Sequence, residues 1–426
     1  MRKVAWRLIP FLMLCYFVAY LDRVNISFAA LQMNKDLGLS SAAYGLGAGL
    51  FFVTYFLLEV PSNLLLFRFG ATRWIARIMV SWGICAGAMA FVRGETSFYI
   101  VRLLFGAAEA GFYPGVLFFL TLWFPAAYRG RVIGLFLAAI PISGILGSPL
   151  SGYLLTLDGL ASLRGWQWLF LVEALPAILL APLVLRVLQD GPAQATWLAD
   201  DERAWLAEML EQETQKREST RHYSVGQALT NPWVLFLALV YFSNVCLLNG
   251  VQFFLPQIVK GFGFGNVETG LVVAIPSLLA LVTLIWWGRR SDAKRERYGH
   301  AAVANMIAAA GLLAAMLVRD PTLQIALISV CSAFTLAFTA PFWSIPGTFL
   351  SRAAAAGGLA AISSLGVSGG IVAPWFVGWT RDVTGDFRIG LGAIAIFAMV
   401  IALVFFVLGR RRHALDLSTL AKSHSL

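Results

Sequence analysis

The chain has 426 residues, of which 59% are hydrophobic and 13% charged, and its mean hydropathy is +0.77. A water-soluble domain carries about a quarter charged residues, so the composition excludes an ordinary soluble globule and places the chain in a lipid bilayer. The net charge of +10 sits in short basic clusters between apolar runs, which is the pattern of topology signals and excludes a nucleic-acid-binding surface.

Apolar runs of about 20 residues match the thickness of the bilayer core and recur along the chain. They predict helices at 7–30, 44–67, 74–92, 97–121, 131–156 and 167–187, numbered spans 1 to 6. Spans 7 to 12 are predicted at 231–259, 267–288, 300–318, 322–345, 353–380 and 389–409. Each must be helical, because lipid offers no hydrogen-bond partner to an open backbone. The N-terminal MRKVAWR stretch and its apolar continuation mimic a signal peptide. The run passes through Tyr20, Asp22 and Arg23 without a small-residue cleavage site, so it counts as span 1.

Between the spans, every second loop is basic. Arg2, Lys3 and Arg7 precede span 1, Arg68, Arg73 and Arg77 lie between spans 2 and 3, and Arg129 and Arg131 precede span 5. Arg289, Arg290, Lys294, Arg295 and Arg297 follow span 8, and Arg410 to Arg412 end span 12. The intervening loops carry offsetting pairs such as Lys35 with Asp36. The positive-inside rule then puts both termini in the cytoplasm. One long connection, 188–230, is rich in Ala, Leu, Glu and Gln and predicts a short amphipathic helix near the membrane surface. The expected organisation is an all-α membrane protein of twelve helices in two six-helix bundles, 1–187 and 231–412, with the linker 188–230 and a tail 413–426. Six plus six helices is the layout of duplicated transporters, whose sites form between the repeats.

Charged groups near the bilayer centre cost about 2.5–3.5 kcal/mol on insertion scales, so those present are the first candidates for function. Asp22, Arg23, Glu59, Arg102, Glu109 and Glu173 lie inside spans, all in the first half. Arg102 and Glu109, seven apart, share one face of span 4. Adjacent Asp22 and Arg23 point about 100° apart on span 1 and cannot both face one spot; one division turns Arg23 to a cavity and Asp22 to a neighbouring helix. A guanidinium matches a carboxylate with two parallel hydrogen bonds and does not lose its charge, so Arg23 and Arg102 are candidate anion binders. Asp22 and Glu109 are candidate proton carriers, while Glu59 and Glu173 read as structural. All four histidines fall in loops or tails, leaving carboxylates as the proton route. Tyr20, Tyr55, Asn244, Asn249, Gln252, Trp343 and Ser364 are candidates for contacting the rest of a substrate. The four cysteines lie in apolar runs without CxxC spacing, and neither a metal cluster nor a nucleophile–base pair suggests an enzyme.

Several motifs resemble the major facilitator superfamily. Gly288-Arg-Arg-Ser-Asp292 with Lys294, Arg295 and Arg297 is similar to its cytoplasmic loop motif. The first-half counterpart keeps Arg68, Gly70, Arg73 and Arg77 but lacks the acid. Gly144, Gly147, Pro149 and Gly152 in span 5 resemble its glycine–proline motif. Tyr20-Leu-Asp-Arg-Val-Asn-Ile-Ser27, Glu59-Val-Pro-Ser-Asn63, the Arg102–Glu109 stretch with Gly111-Phe-Tyr-Pro114, and Phe254-Leu-Pro-Gln257 resemble its anion:cation symporters, in the bacterial organic-acid branch. The resemblance implies a monomeric inner-membrane protein without cofactors. It would use a proton to drive uptake of a small organic anion such as a hydroxy acid, a sugar acid or another carboxylate. An exchanger or uniporter without proton coupling is the alternative within transport, and a transport-inactive sensor the alternative outside it.

Overall fold

A computed structural model describes residues 1–218, 231–294, 296–346 and 352–423. Twelve helices among them are long and apolar enough to cross a membrane: Arg2–Asp36, Ser41–Phe69, Ala71–Phe91, Glu95–Trp123, Ala127–Leu157, Gly165–Val187, Pro232–Lys260, Asn266–Lys294, Tyr298–Leu317, Pro321–Ser344, Ala361–Thr384 and Arg388–Arg410. These are spans 1 to 12. Several outrun their apolar cores. Span 1 continues into Arg2 and Lys3 at one end and Lys35 at the other, because backbone hydrogen bonding persists where the polar side chains reach water.

Several spans are broken. Span 4 runs helically to Glu109, then bends at Ala110 and Gly111 before resuming at Phe112. Gly111 has φ +89°, and a Cβ there would lie 2.3 Å from Ser62 Oγ, so both backbone and space demand glycine. Span 7 breaks at Phe253 and Phe254 ahead of Pro256, and span 11 at Ser368. Such interruptions at membrane depth are tolerated only where protein or water satisfies the freed backbone groups.

The helices pack as two compact units. Unit 1 comprises Met1–Leu39, Gly47–Arg221 and Gly263–Ala274, and unit 2 comprises Ser40–Leu46, His222–Phe262 and Ile275–Leu426. The core of unit 1 is aromatic, with Trp82, Phe112, Phe119, Trp123 and Phe136 buried. That of unit 2 centres on Trp287, Tyr298, Phe338, Phe342 and Phe405. Outer faces keep large apolar side chains such as Leu57, Phe67, Leu179 and Leu317 exposed, as lipid-facing helices do.

The linker helix forms over Asp200–Glu218, while 219–230 falls outside the described residues. The start of the linker is seated on unit 1. Trp197 stacks on Trp123 with ring centroids 5.5 Å apart, Arg7 lies over the Trp197 ring, and Leu198 and Leu206 are buried. Lys3 pairs with Glu202 at 3.1 Å and holds that exposed carboxyl below its ordinary range. Asp190 Oδ1 accepts the Thr72 backbone N–H at 2.7 Å, placing a carboxylate at the positive end of span 3. The first-half loop, which lacks the motif acid, thus has a linker carboxylate at the start of the helix that follows it.

Candidate functional site

Three segments of unit 1 converge on one guanidinium. Arg23 of span 1 donates from Nε at 3.0 Å and from Nη2 at 2.6 Å to a single oxygen, Oε1, of Glu109 on span 4. Its guanidinium carbon lies 5.1 Å from the Tyr20 ring, 5.3 Å from Phe51 and 5.1 Å from Tyr55, which surround it with aromatic faces. The Arg23 side chain is 18% exposed and that of Glu109 1%. Glu109 Oε2 is buried and has no hydrogen-bond partner. The pair is thus asymmetric: one carboxylate oxygen takes both arginine bonds and the other takes none. It sits directly before the break in span 4, where glycine fixes the chain direction.

Asp22 points away from this pocket, in keeping with its 100° offset from Arg23. Its Oδ2 accepts from the Trp82 indole at 2.8 Å and its Oδ1 from Asn25 Nδ2 at 3.2 Å, and the residue is fully buried. Arg102 is 2% exposed and donates to the Gly47 and Ala48 carbonyls of span 2 at 3.1 and 3.0 Å. That engagement departs from the open anion binder expected and makes Arg102 a clamp between spans 2 and 4. The clamp works because the two spans nearly touch: a Cβ on Gly106 would lie 2.1 Å from the Phe51 carbonyl oxygen.

The second-half candidates fall elsewhere. Asn244 is 2% exposed, with Nδ2 on Asn305 Oδ1 and on the Thr335 carbonyl, both at 3.2 Å, and Asn305 donates in turn to Ser243 Oγ. This amide network joins spans 7, 9 and 10 inside unit 2. Asn249 donates to Val245 O one turn back in its own helix. Gln252 and Ser364 are half-buried, and Trp343 packs edge-on against Tyr241.

Among the loop motifs, Gly70 has φ +89°, Arg77 stacks 4.0 Å over Trp74, Arg68 lies over Phe69, and Arg73 is exposed. Asp292 pairs with Arg297 beyond Gly288, whereas Arg295 lies outside the described residues. In span 5, Gly144 is buried, and Pro149 and Gly152 meet Gly270 at backbone distance within unit 1. Sequence reasoning did not single out Asn25, Phe51, Trp82 or Ser151. The spacing of Asp22 and Asn25, one helical turn apart, was the available signal for the first of these.

The sequence profile described as Major Facilitator Superfamily matches residues 12–374. The chain belongs to that superfamily. It is 47% identical over 410 residues to a protein of Agrobacterium vitis named "Putative tartrate transporter", covering 96% of this chain and 91% of that one. It is also 40% identical over 409 residues to a "Quinolone resistance transporter" of Acinetobacter baumannii, covering 95% and 94%. Among solved structures, a bacterial homolog of the human lysosomal transporter Spinster, inward-facing and occupied, aligns with a TM-score of 0.77 at 18% identity. The alignment covers 96% of this chain and 97% of that one, a likeness that concerns the fold. The protein is a multi-pass membrane transporter with twelve spans, and not an enzyme.

Proposed function

We propose that this transporter carries a small organic anion into the cytoplasm together with protons, by alternating access, with both termini cytoplasmic. The observation that carries the reading is the Arg23–Glu109 pair with its unpartnered Glu109 Oε2. A buried arginine held by a carboxylate cannot bind an anionic substrate without leaving that carboxylate uncompensated, which costs several kcal/mol. Protonation of Glu109 removes the conflict. The neutral acid releases Arg23, whose two-pronged guanidinium then accepts a substrate carboxylate against the Tyr20 and Tyr55 rings. On release inside, the proton leaves Glu109 and the pair re-forms. Asp22, held next to Arg23 in sequence but bonded to Trp82 and Asn25, is the second proton carrier. The relatives named for tartrate support a carboxylate as cargo.

The test uses purified protein in proteoliposomes with radiolabelled tartrate as the probe. Glu109→Gln and Asp22→Asn should each abolish accumulation driven by a pH gradient while leaving tartrate counterflow measurable. Accumulation that survives both substitutions would favour an exchanger or uniporter and overturn proton coupling.

A further inference from the structure

Two orphaned oxygens deep in unit 1 mark a place where a hydrogen is required. Asn25 stands one turn beyond Asp22 on span 1, and its Nδ2 donates to Asp22 Oδ1 at 3.2 Å. From span 6, Glu173 accepts the Ser151 hydroxyl of span 5 through Oε1 at 2.7 Å. The Glu173 carboxyl also interacts with the Asn25 side chain and with the charge of Asp22. Asn25 Oδ1 and Glu173 Oε2 are both buried and without a hydrogen-bond partner, and Asp22, Asn25 and Glu173 are each 1% exposed or less.

A primary amide has one donating end and one accepting end, whereas an ionised carboxylate only accepts. An asparagine between two carboxyls can serve one of them with its N–H. Its carbonyl end then meets the other, and those two oxygens are satisfied only if that carboxyl carries a hydrogen. Reversing the amide exchanges which carboxyl bears the proton but does not remove the need for one. Charge leads to the same place. The groups facing the cluster are Trp82 from span 3, Glu109 from span 4, Ser151 from span 5, and Arg23, which is committed to Glu109. Among the described residues neither Asp22 nor Glu173 is in an ion pair. Two uncompensated carboxylates in one dry site repel, and one of them is neutralised.

We infer that Asp22 and Glu173 hold a single proton between them through Asn25, carried in this arrangement on Glu173 Oε2 and donated to Asn25 Oδ1. Glu173 is then a positioning residue for Asp22 and not merely a packing acid. Turning the Asn25 amide passes the protonated role from one carboxyl to the other. The part this plays in transport rests on the proton coupling proposed above, but the shared proton itself does not.

Infrared spectroscopy of the purified full-length protein, titrated through neutral pH, reads the proton directly. A protonated carboxyl has a carbonyl stretch resolved from that of a carboxylate. The wild type should show this band near neutral pH. Glu173→Gln, which keeps a donor for Asn25 and an acceptor for Ser151, should lose it. Asn25→Ala should keep the band but move its frequency, since the acceptor is gone, so a decision stands even if Glu173→Gln unfolds. Absence of the band in wild type, its loss in Asp22→Asn with retention in Glu173→Gln, or a band unmoved by both the Glu173 and Asn25 changes would each overturn the assignment. Transport is not read, so a failed infrared result leaves the Glu109 reading intact, and a failed coupling assay leaves the shared proton standing.

Discussion

The two units bury polar groups in opposite ways. Unit 1 hides Asp22, Arg102, Glu109 and Glu173 at 2% exposure or less, with Arg23 only slightly more open. Among the described residues of unit 2 no aspartate, glutamate, lysine or arginine is buried so deeply. Its interior is tied by the neutral amides of Asn244 and Asn305, the Ser243 hydroxyl and the Thr335 backbone carbonyl. Neutral hydrogen bonds are the cheap way to join helices in lipid, contributing about 0.6 kcal/mol each on average. Ions are the expensive way, and replacing a buried ion pair with apolar residues is commonly neutral or stabilising. Deeply buried charge confined to unit 1 is what the proposed anion and proton handling would explain, while unit 2 shows what plain structural bonding looks like in the same membrane.

The sharpest way to break this contrast is to remove Arg23. Arg23→Ala leaves the Glu109 carboxylate buried without its partner, so unfolding stability should fall by about 3–5 kcal/mol and tartrate uptake should drop to background. Adding Glu109→Gln should restore most of the stability, measured by chemical denaturation in detergent, without restoring uptake. A double variant that transports at the wild-type rate would show the arginine to be structural, and the contrast between the units would lose its meaning.

Unit 2 supplies the reciprocal test. Asn305→Leu removes the acceptor of one Asn244 N–H and the donor to Ser243 Oγ. Asn244 keeps the Thr335 carbonyl and Ser243 the Val240 carbonyl, so each lost hydrogen bond should cost about 0.5–1.5 kcal/mol. Thermal stability should fall accordingly. The pH dependence of tartrate uptake by the folded fraction should match wild type. A shifted pH profile would place proton handling in unit 2 as well.

Close packing sharpens the comparison from another side. Gly106→Ala forces the Cβ against the Phe51 carbonyl and should cost about 1–3 kcal/mol, because backbone cannot yield as a flexible side chain would. Gly392→Ala, where nothing lies within 4 Å, should stay within about 0.5 kcal/mol of wild type. Uptake should fall for the first and not the second, since Gly106 sits between Arg102 and Glu109 on the strut that holds the ion pair.

The twelve spans were legible because each apolar run is long and its polar flanks are abrupt. The adjacency of Asp22 and Arg23 was enough to separate their directions, and the structure puts Arg23 on Glu109 and Asp22 on Trp82 as that geometry requires. What could not be read was pairing across helices. Arg102 and Glu109 share a helical face in the sequence, yet Arg102 is spent on the carbonyls of span 2, because Gly106 lets the two backbones approach and Gly47 leaves room for the Phe98 ring. Glu173 reads as an isolated acid until span 6 is laid beside span 1. Asn244 has the look of a substrate contact, and only the position of Asn305, 61 residues away, reveals its bonding. Nor could spacing show that Asp190, at the start of the polar linker, caps span 3.

The smallest effect is expected at an acid of unit 2 that gathers several donors at a helix end. Glu296, between spans 8 and 9, accepts the backbone N–H groups of Gly299 and His300 at 2.5 and 2.9 Å and the His300 ring Nδ1 at 2.7 Å. Partial burial acts to raise its pKa, but these donors outweigh it and hold the carboxyl below its ordinary 4.5. A depressed acid stabilises the fold fully above that ordinary value and loses its contribution as pH falls through the lower folded one. Glu296→Gln should therefore cost about 1 kcal/mol, the usual worth of a helix-capping side chain. The gap from wild type should be widest at neutral pH and close below pH 4.5, as thermal unfolding across that range would record. Uptake should keep its wild-type pH profile, because this charge stands at a helix end in reach of water, where it braces the first turn of span 9. If it altered coupling instead, charge in unit 2 would be doing more than capping, and the division between a chemical unit and a scaffolding one would have to be redrawn.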